Sequence, residues 1–440
     1  MTGSTALLTD HYELTMLQAA LEGGTGGRRS VFEVFARRLP DGRRYGVVAG
    51  VGRLLDAVEA FRFDDAVLAD LAERRVVDDR TLEWLADHRF SGDVWGYGEG
   101  ECYFPYSPLL VVEGSFAEAV LLETLALSIL NHDSAVASAA SRMTCAAAGR
   151  PCIEMGSRRT HERAAVAAAR AAYVAGFATT SNLEAGRTYG IPTAGTSAHS
   201  FTLLHDSERN AFAAQVASLG KGTTLLVDTY DVADAVQAAV EIAGTSLGAV
   251  RLDSGDLLVL AREVRAQLDG LGAHDTRIVV TSDLDEHSIA ALAVAPVDAY
   301  GVGTALVTGS GAPTAGLVYK LVARSDRDGG ELVSVEKRSK DKGSRGGRKY
   351  ALRRRSPRGV AQAEVIGVGR PPHDDGDDRP LLRELIRSGE VVGREPLSAA
   401  RDRHTASRAE LPRAALRLSR GEPALPTVFE ATVYEEGLLP

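Results

Sequence analysis

Cysteine is scarce in this chain: three residues, Cys102, Cys145 and Cys152, among 440. An odd count without metal-ligand spacing argues against a disulfide framework or a zinc site and points to free thiols in a reducing compartment. Long apolar runs are missing too. The best candidate, Phe116 to Leu130, is broken by Glu118 and Glu123 and falls short of the ~18 uninterrupted apolar residues of a membrane span. Between Met1 and Met16 no basic segment leads into an apolar stretch, so no secretory signal is visible and the cytoplasm is the expected location. Positive charge is not in excess either. The formal charge of −9 argues against general nucleic-acid binding, while leaving room for small anions held by a few placed arginines. No solenoid period is present.

What is present is ample core material. The chain is 45% apolar and 25% charged, and its 440 residues exceed what one core usually serves, so two structural units are expected. Three zones are legible. In the first, 1–130, Val31 to Arg37 alternates as a strand and Gly50 to Phe61 reads as a helix. Ser91 to Ser107 is dense in Gly, Pro and aromatics and reads as irregular connections with short strands. The second zone, 131–325, alternates strand and helix. An Ala-rich helix, Thr160 to Gly176 with Thr160 as N-cap, precedes strands at Thr223–Val227, Ala249–Leu252, Arg277–Thr281 and Val297–Gly301. Helices are expected at Val232–Ile242, Asp256–Leu268 and Asp285–Ala293. Such alternation implies parallel strands with crossover helices, a barrel or a doubly wound sheet. The third zone, 326–440, holds a basic run from Lys337 to Arg355 containing Gly343, Gly346 and Gly347. A Pro- and Asp-rich loop, Arg370 to Pro380, follows it, and strand-like pieces at Tyr350–Leu352 and Val365–Val368 suggest β-structure returning to the first zone.

The second zone is chemically informative because each strand ends in residues a core does not accommodate. Asp228, Thr229, Tyr230 and Asp231 follow the first of the four strands. Arg251, Asp253, Ser254, Gly255 and Asp256 close the second; Thr281, Ser282, Asp283 and Asp285 the third; Gly301, Gly303 and Thr304 the fourth. Parallel α/β folds gather strand C-termini on the face that carries the active site, so these ends describe one polar basin. The competing reading is that the Asp, Ser and Thr residues only cap the following helices. Tyr300 to Thr304 resembles a phosphate cradle, with glycines admitting an anion to backbone N–H groups; a tight turn is the alternative. Arg251 either pairs with Asp253 or Asp256 or meets a phosphate while Asp253 accepts from sugar hydroxyls. His199, among Thr196, Ser197 and Ser200, is either a satisfied structural imidazole or a nucleophile toward phosphorus. Gly156 to Arg159 sets Arg158 and Arg159 ahead of a helix N-terminus, unfavourable unless an anion is bound there.

Taken in order, these segments resemble the nicotinate phosphoribosyltransferase family. The matching stretches are Leu8 to Met16, Met155 to Arg159, Gly195 to Phe201, Val227 to Asp231, Val250 to Asp256, Thr281 to Glu286, Tyr300 to Thr308 and Gly316 to Val322. The resemblance implies an irregular α/β barrel plus an open-faced α/β sandwich domain formed by both ends of the chain, and homodimers with shared active sites. It implies transfer of phosphoribose from phosphoribosyl pyrophosphate to nicotinate with ATP hydrolysis, in NAD salvage, with Mg²⁺ on the polyphosphates. By position, His199 looks like the histidine that ATP phosphorylates, with Asp228 supporting it. Tyr12 resembles a ring-stacking aromatic from the neighbouring subunit, and Arg158 and Thr196 resemble contacts to nicotinate. Arg251, Gly303 and Thr304 look like phosphate ligands and Asp253 a ribose acceptor, with Ser282 and Asp283 in the same substrate-binding set. Metal ligands are not identified. Met155 stands where related enzymes often carry an aromatic.

The inventory suits that chemistry. A pyridine nitrogen already has a lone pair and needs no base, so positioning and charge suffice. Rival readings are the same transfer to nicotinamide, an aldolase or isomerase using Lys320, and a non-catalytic binding protein. The type I phosphoribosyltransferase fold is set aside: Val76-Val77-Asp78-Asp79 begins its signature but continues without the glycine loop.

Overall fold

The computed structural model describes residues 3–327, 329–337 and 344–430. Its contacts divide the chain into two compact units, Val136–Pro313 and, separately, Met1–Ala135 with Thr314–Pro440. The change of unit falls before residue 325 because Leu317–Ser325 is a strand paired antiparallel to Arg29–Ala36.

The unit Val136–Pro313 is built on a curled, half-barrel parallel sheet. Its strands are β1 (Cys152–Glu154), β2 (Thr179–Thr180), β3 (Thr224–Leu226), β4 (Ala249–Leu252), β5 (Arg277–Val280) and β6 (Ala299–Val302), in the order β2-β1-β6-β5-β4-β3. Each is short and apolar, and the expected helices follow at Val232–Ala243, Leu257–Gly270 and Glu286–Ala291. The Ala-rich helix spans Glu162–Val174. Its N-cap is His161 rather than Thr160, the imidazole accepting from the Arg163 N–H. Small side chains let this helix bury six alanines along its length.

The other unit carries a seven-stranded antiparallel sheet, ordered Leu332–Ser334, Leu317–Ser325, Arg29–Ala36, Leu110–Ser115, Asp93–Tyr97, Leu382–Arg387 and Glu390–Val391. A smaller sheet contains Arg379–Pro380, Lys349–Arg355, Ala361–Val368 and Thr427–Phe429. Both ends of the chain therefore build it, and its large core includes Phe32, Phe61, Tyr97 and Leu385.

The basic run separates into two parts. Positions 338–343 lie outside the described residues. The rest is structural: Lys349 is buried 2.6 Å from Glu33, and fully buried Arg353 lies 2.6 Å from Glu364 and 3.5 Å from Glu101. Arg354 pairs with Asp378 and Arg355 with Glu410. These cations serve carboxylates of the same chain.

Candidate active site

The parallel sheet places its chemistry by strand alternation. Ile153, Ala249, Val279 and Ala299, one each from β1, β4, β5 and β6, pack into one apolar layer. Residues two further along a strand point the same way. That step gives Met155, Arg251, Thr281 and Gly301, and the next gives Asp253, Asp283 and Gly303. All seven line one cleft of about 260 Å³, together with Arg158, Arg159, Ser282 and Thr304. The polar residues replace the core layer where the strands end.

Three guanidiniums face two carboxylates across this cleft, so its balance favours anions. Arg251 is half-buried, and burial lowers its pKa while Asp253 and Asp228 pull the other way. One Nη donates to Thr196 Oγ1, whereas the buried Nε has no hydrogen-bond partner among the described residues. Neither Asp253 nor Asp256 forms the ion pair that the structural reading of Arg251 required. Asp256 instead caps the following helix, as Asp231 and Asp285 cap theirs. The capping reading thus holds for those three, and Asp228, Asp253 and Asp283 are left for other work.

Close packing explains two glycines. A Cβ on Gly301 would lie 2.6 Å from Thr281 Cγ2 and 2.8 Å from the Met155 sulfur, and one on Gly156 would meet Val307 Cγ1 at 2.2 Å. Buried Glu154 fixes the turn leading to Arg158: it accepts from the Gly156 N–H and the Thr180 hydroxyl, and burial raises its pKa. Ser282 has φ of 101°, left-handed for a non-glycine residue. Such backbone costs about 1–3 kcal/mol and concentrates at binding sites. Thr304 opens a single helical turn after Gly303.

His199 opens the helix His199–Leu204 beside this cleft. Its Nδ1 is 3.1 Å from Thr229 Oγ1, and its Nε2 is 3.9 Å from Asp228 Oδ1 and 3.8 Å from Asp253 Oδ2. The side chain is 40% exposed, whereas that of Asp228 is 3% exposed. Asp228 Oδ2 accepts from the Asp253 N–H at 2.9 Å and the Ser254 hydroxyl at 2.6 Å, and Asp253 accepts from Thr281. With its proton on Nδ1, the imidazole presents a lone pair between two carboxylates; with the proton on Nε2, it presents an N–H donor toward them. His199, Asp228, Asp253, Ser254 and Thr281 therefore form one polar network spanning the ends of β3, β4 and β5, with the Arg251–Thr196 pair a separate hydrogen bond.

Tyr12 belongs to the helix His11–Glu22 of the other unit, 44% exposed, with its pKa pushed up to about 12 by burial and then by Glu123 and Glu13. Lys320 belongs to the same unit, where it donates to the Tyr319 carbonyl and lies 3.7 Å from Glu123. Asp78 is a helix N-cap. Sequence reasoning missed Glu208, at the start of the helix Glu208–Leu219. Its carboxyl is pushed up to about 7, first by burial and then by Asp228, Asp231 and Asp234, and its Oε1 is buried without a partner among the described residues. No local pattern marks it: a glutamate after a capping serine is ordinary helix chemistry. Thr229, by contrast, was visible as part of the polar strand end.

Two family models match. The nicotinate phosphoribosyltransferase N-terminal domain covers residues 7–131, and the nicotinate phosphoribosyltransferase family covers 151–355. The chain is 60% identical over 430 residues to a nicotinate phosphoribosyltransferase of Mycobacterium tuberculosis, covering 96% of this chain and 94% of that one. A Bacillus subtilis nicotinate phosphoribosyltransferase is 36% identical over 329 residues, 73% of this chain and 67% of its own. The crystal structure of human nicotinic acid phosphoribosyltransferase superposes with a TM-score of 0.82 at 26% identity, covering 97% and 98% of the two chains. Among the described residues no helix is long and apolar enough to cross a membrane. With both of its units matched and its strand-end cleft built for anions, the chain belongs to the nicotinate phosphoribosyltransferase family.

Proposed function

We propose that this chain forms nicotinate mononucleotide and pyrophosphate from nicotinate and phosphoribosyl pyrophosphate, in NAD salvage. The observation that supports this most is the cleft itself, where Arg158, Arg159 and Arg251 meet Ser282, Asp283, Gly303 and Thr304. The pyridine nitrogen attacks the ribose anomeric carbon with its own lone pair, and the carbon–oxygen bond to pyrophosphate breaks. No base is needed. Arg251 and the Gly303–Thr304 turn hold phosphate, Asp253 accepts from ribose hydroxyls, and Arg158 with Thr196 receives the nicotinate carboxylate. Cationic charge over the leaving group and carboxylates near the ribose favour an oxocarbenium-like transition state.

ATP enters in this reading through His199. Its imidazole takes the γ-phosphoryl group, releasing ADP, and hydrolysis of the phosphohistidine couples that energy to product formation. Asp228, anchored by two hydrogen bonds, steadies the cationic ring. Magnesium suits a site with one or two carboxylates and substrate phosphates; Asp253 and Asp283 offer those oxygens, and the ion would supply charge neutralisation on the polyphosphates. The protein works in the cytoplasm as a homodimer, with Tyr12 of the partner subunit stacking on the pyridine ring. The exposure of Tyr12 leaves its ring free for that contact.

Pyrophosphate release with nicotinate and with nicotinamide, measured side by side, tests the transfer, and preference for the amide defeats the assignment. Labelled ATP is expected to leave an acid-labile, base-stable phosphoryl group on the wild type. Its persistence in His199→Ala rejects the role of His199.

A further inference from the structure

A second cleft, larger than the candidate active-site cleft, lies in the other unit, and no part of the transfer chemistry uses it. It holds about 530 Å³, within the ~300–1,000 Å³ typical of small-molecule sites. One wall is the seven-stranded sheet. Trp95 sits opposite Val111 and Glu384 in register, so Glu113 and Leu382, each two residues from one of those partners, share its face. The facing wall is Tyr350 to Leu352 of the smaller sheet, and the Pro371–Asp374 loop forms the rim. The cleft thus joins the end of the basic run to the Pro- and Asp-rich loop, two sequence features that nicotinate transfer leaves unexplained.

Its chemistry is specific. The Arg348 guanidinium lies 3.9 Å from the Tyr350 ring centroid and 5.8 Å from that of Trp95. Arg348 is pinned through Nε to Glu113 at 3.0 Å and through Nη1 to the Lys349 carbonyl at 2.8 Å. The result is a cleft with aromatic lining and a fixed guanidinium, which suits a planar heterocycle. Charge narrows the class. Glu113 is paired with both Arg348 and Arg29, the latter at 3.1 Å, and with Arg354 these three cations face four carboxylates, Glu113, Asp374, Asp375 and Asp378. On the rim, Asp375 and Asp378 pair with Arg354, whereas Asp374 accepts only the Gly376 N–H among the described residues. An exposed carboxylate at the mouth accepts from amino and hydroxyl groups and repels phosphate.

We infer that this cleft binds an uncharged, amino-bearing purine nucleoside, with the base on Trp95 and its polar edge toward Asp374. The site is independent of the transfer reaction.

The chain has two tryptophans, Trp84 and Trp95. Trp84 stacks on His88 at 4.9 Å, so Trp84→Phe keeps a ring there and leaves Trp95 as sole reporter. Adenosine titrated into that variant should change Trp95 emission saturably. Adenosine monophosphate should bind at least about tenfold more weakly, and Asp374→Asn should close that gap. Tyr350→Ala should weaken adenosine by about tenfold or more while phosphoribosyl transfer stays at the parent rate, which checks folding. No saturable change up to about 5 mM adenosine, a concentration reporting binding near −3 kcal/mol, overturns the inference. So does equal binding of adenosine and its monophosphate.

Discussion

Replacing Arg251 by methionine separates a binding role from a structural one, because a loss of activity is expected with stability nearly unchanged. The guanidinium lies among β3, β4 and β5, with Leu226 and Val279 as its register partners. It has one hydrogen bond, to Thr196, and a buried Nε with none among the described residues. Methionine keeps the length and apolar stem, loses the Thr196 bond, and removes a desolvated charge. The lost bond is worth about 1 kcal/mol, and relief of the unpaired Nε offsets a similar amount. Folding stability should therefore stay within about 1 kcal/mol of the parent. Activity should not. A charge-assisted bond to phosphate is worth about 1.5–3 kcal/mol, so kcat/KM for phosphoribosyl pyrophosphate should fall about 10- to 150-fold. Urea unfolding and initial rates over a range of that substrate measure both. Unchanged kcat/KM with a loss of more than about 3 kcal/mol in stability would show that Arg251 is a structural brace, and the assignment of the cleft to phosphate would fail.

Other outcomes are fixed by single contacts. Glu208 prefers its proton in the folded state, so its stabilising contribution is full below about pH 4.5 and is lost as pH rises through about 7. Glu208→Gln should therefore gain stability over wild type at pH 8 and little at pH 4.5; solvent screening of this half-buried group keeps the gain near 1 kcal/mol, and equal melting shifts at both pH values contradict it. Gly301→Ala pushes a methyl into Thr281 and Met155 and should cost about 1–3 kcal/mol with a higher KM for substrate, read from thermal unfolding and initial rates. Lys349→Met leaves Glu33 buried without its 2.6 Å partner and should cost about 3–5 kcal/mol, whereas adding Glu33→Leu should recover most of that loss; denaturant midpoints of the three proteins decide it.

Much of the site was readable from its alternation. Four of the six parallel strands were anticipated, and the residues two and four steps beyond their core positions, Arg251, Asp253, Thr281, Asp283 and Gly303, are the cleft lining. β1 and β2 escaped because strands of three and two residues, containing Glu154 and two threonines, are too short for a period-two signal. Sequence alone could not separate capping aspartates from functional ones. Asp231, Asp256 and Asp285 look like Asp228 and Asp253 until helix starts are known to the residue. The basic run was opaque for a related reason: Lys349 and Arg353 have buried carboxylate partners, and two of these, Glu33 and Glu101, are remote in the chain. Glu208 was invisible because its perturbation arises first from burial and then from Asp228, Asp231 and Asp234, surroundings it acquires only in the folded unit.

The most direct measurement is a crystal structure of the protein soaked with phosphoribosyl pyrophosphate and nicotinate. Phosphate density against Arg251 and the Gly303–Thr304 turn, with the pyridine ring within reach of Arg158, is the expected result. Ordered substrate held elsewhere, with this cleft occupied only by water, would contradict it.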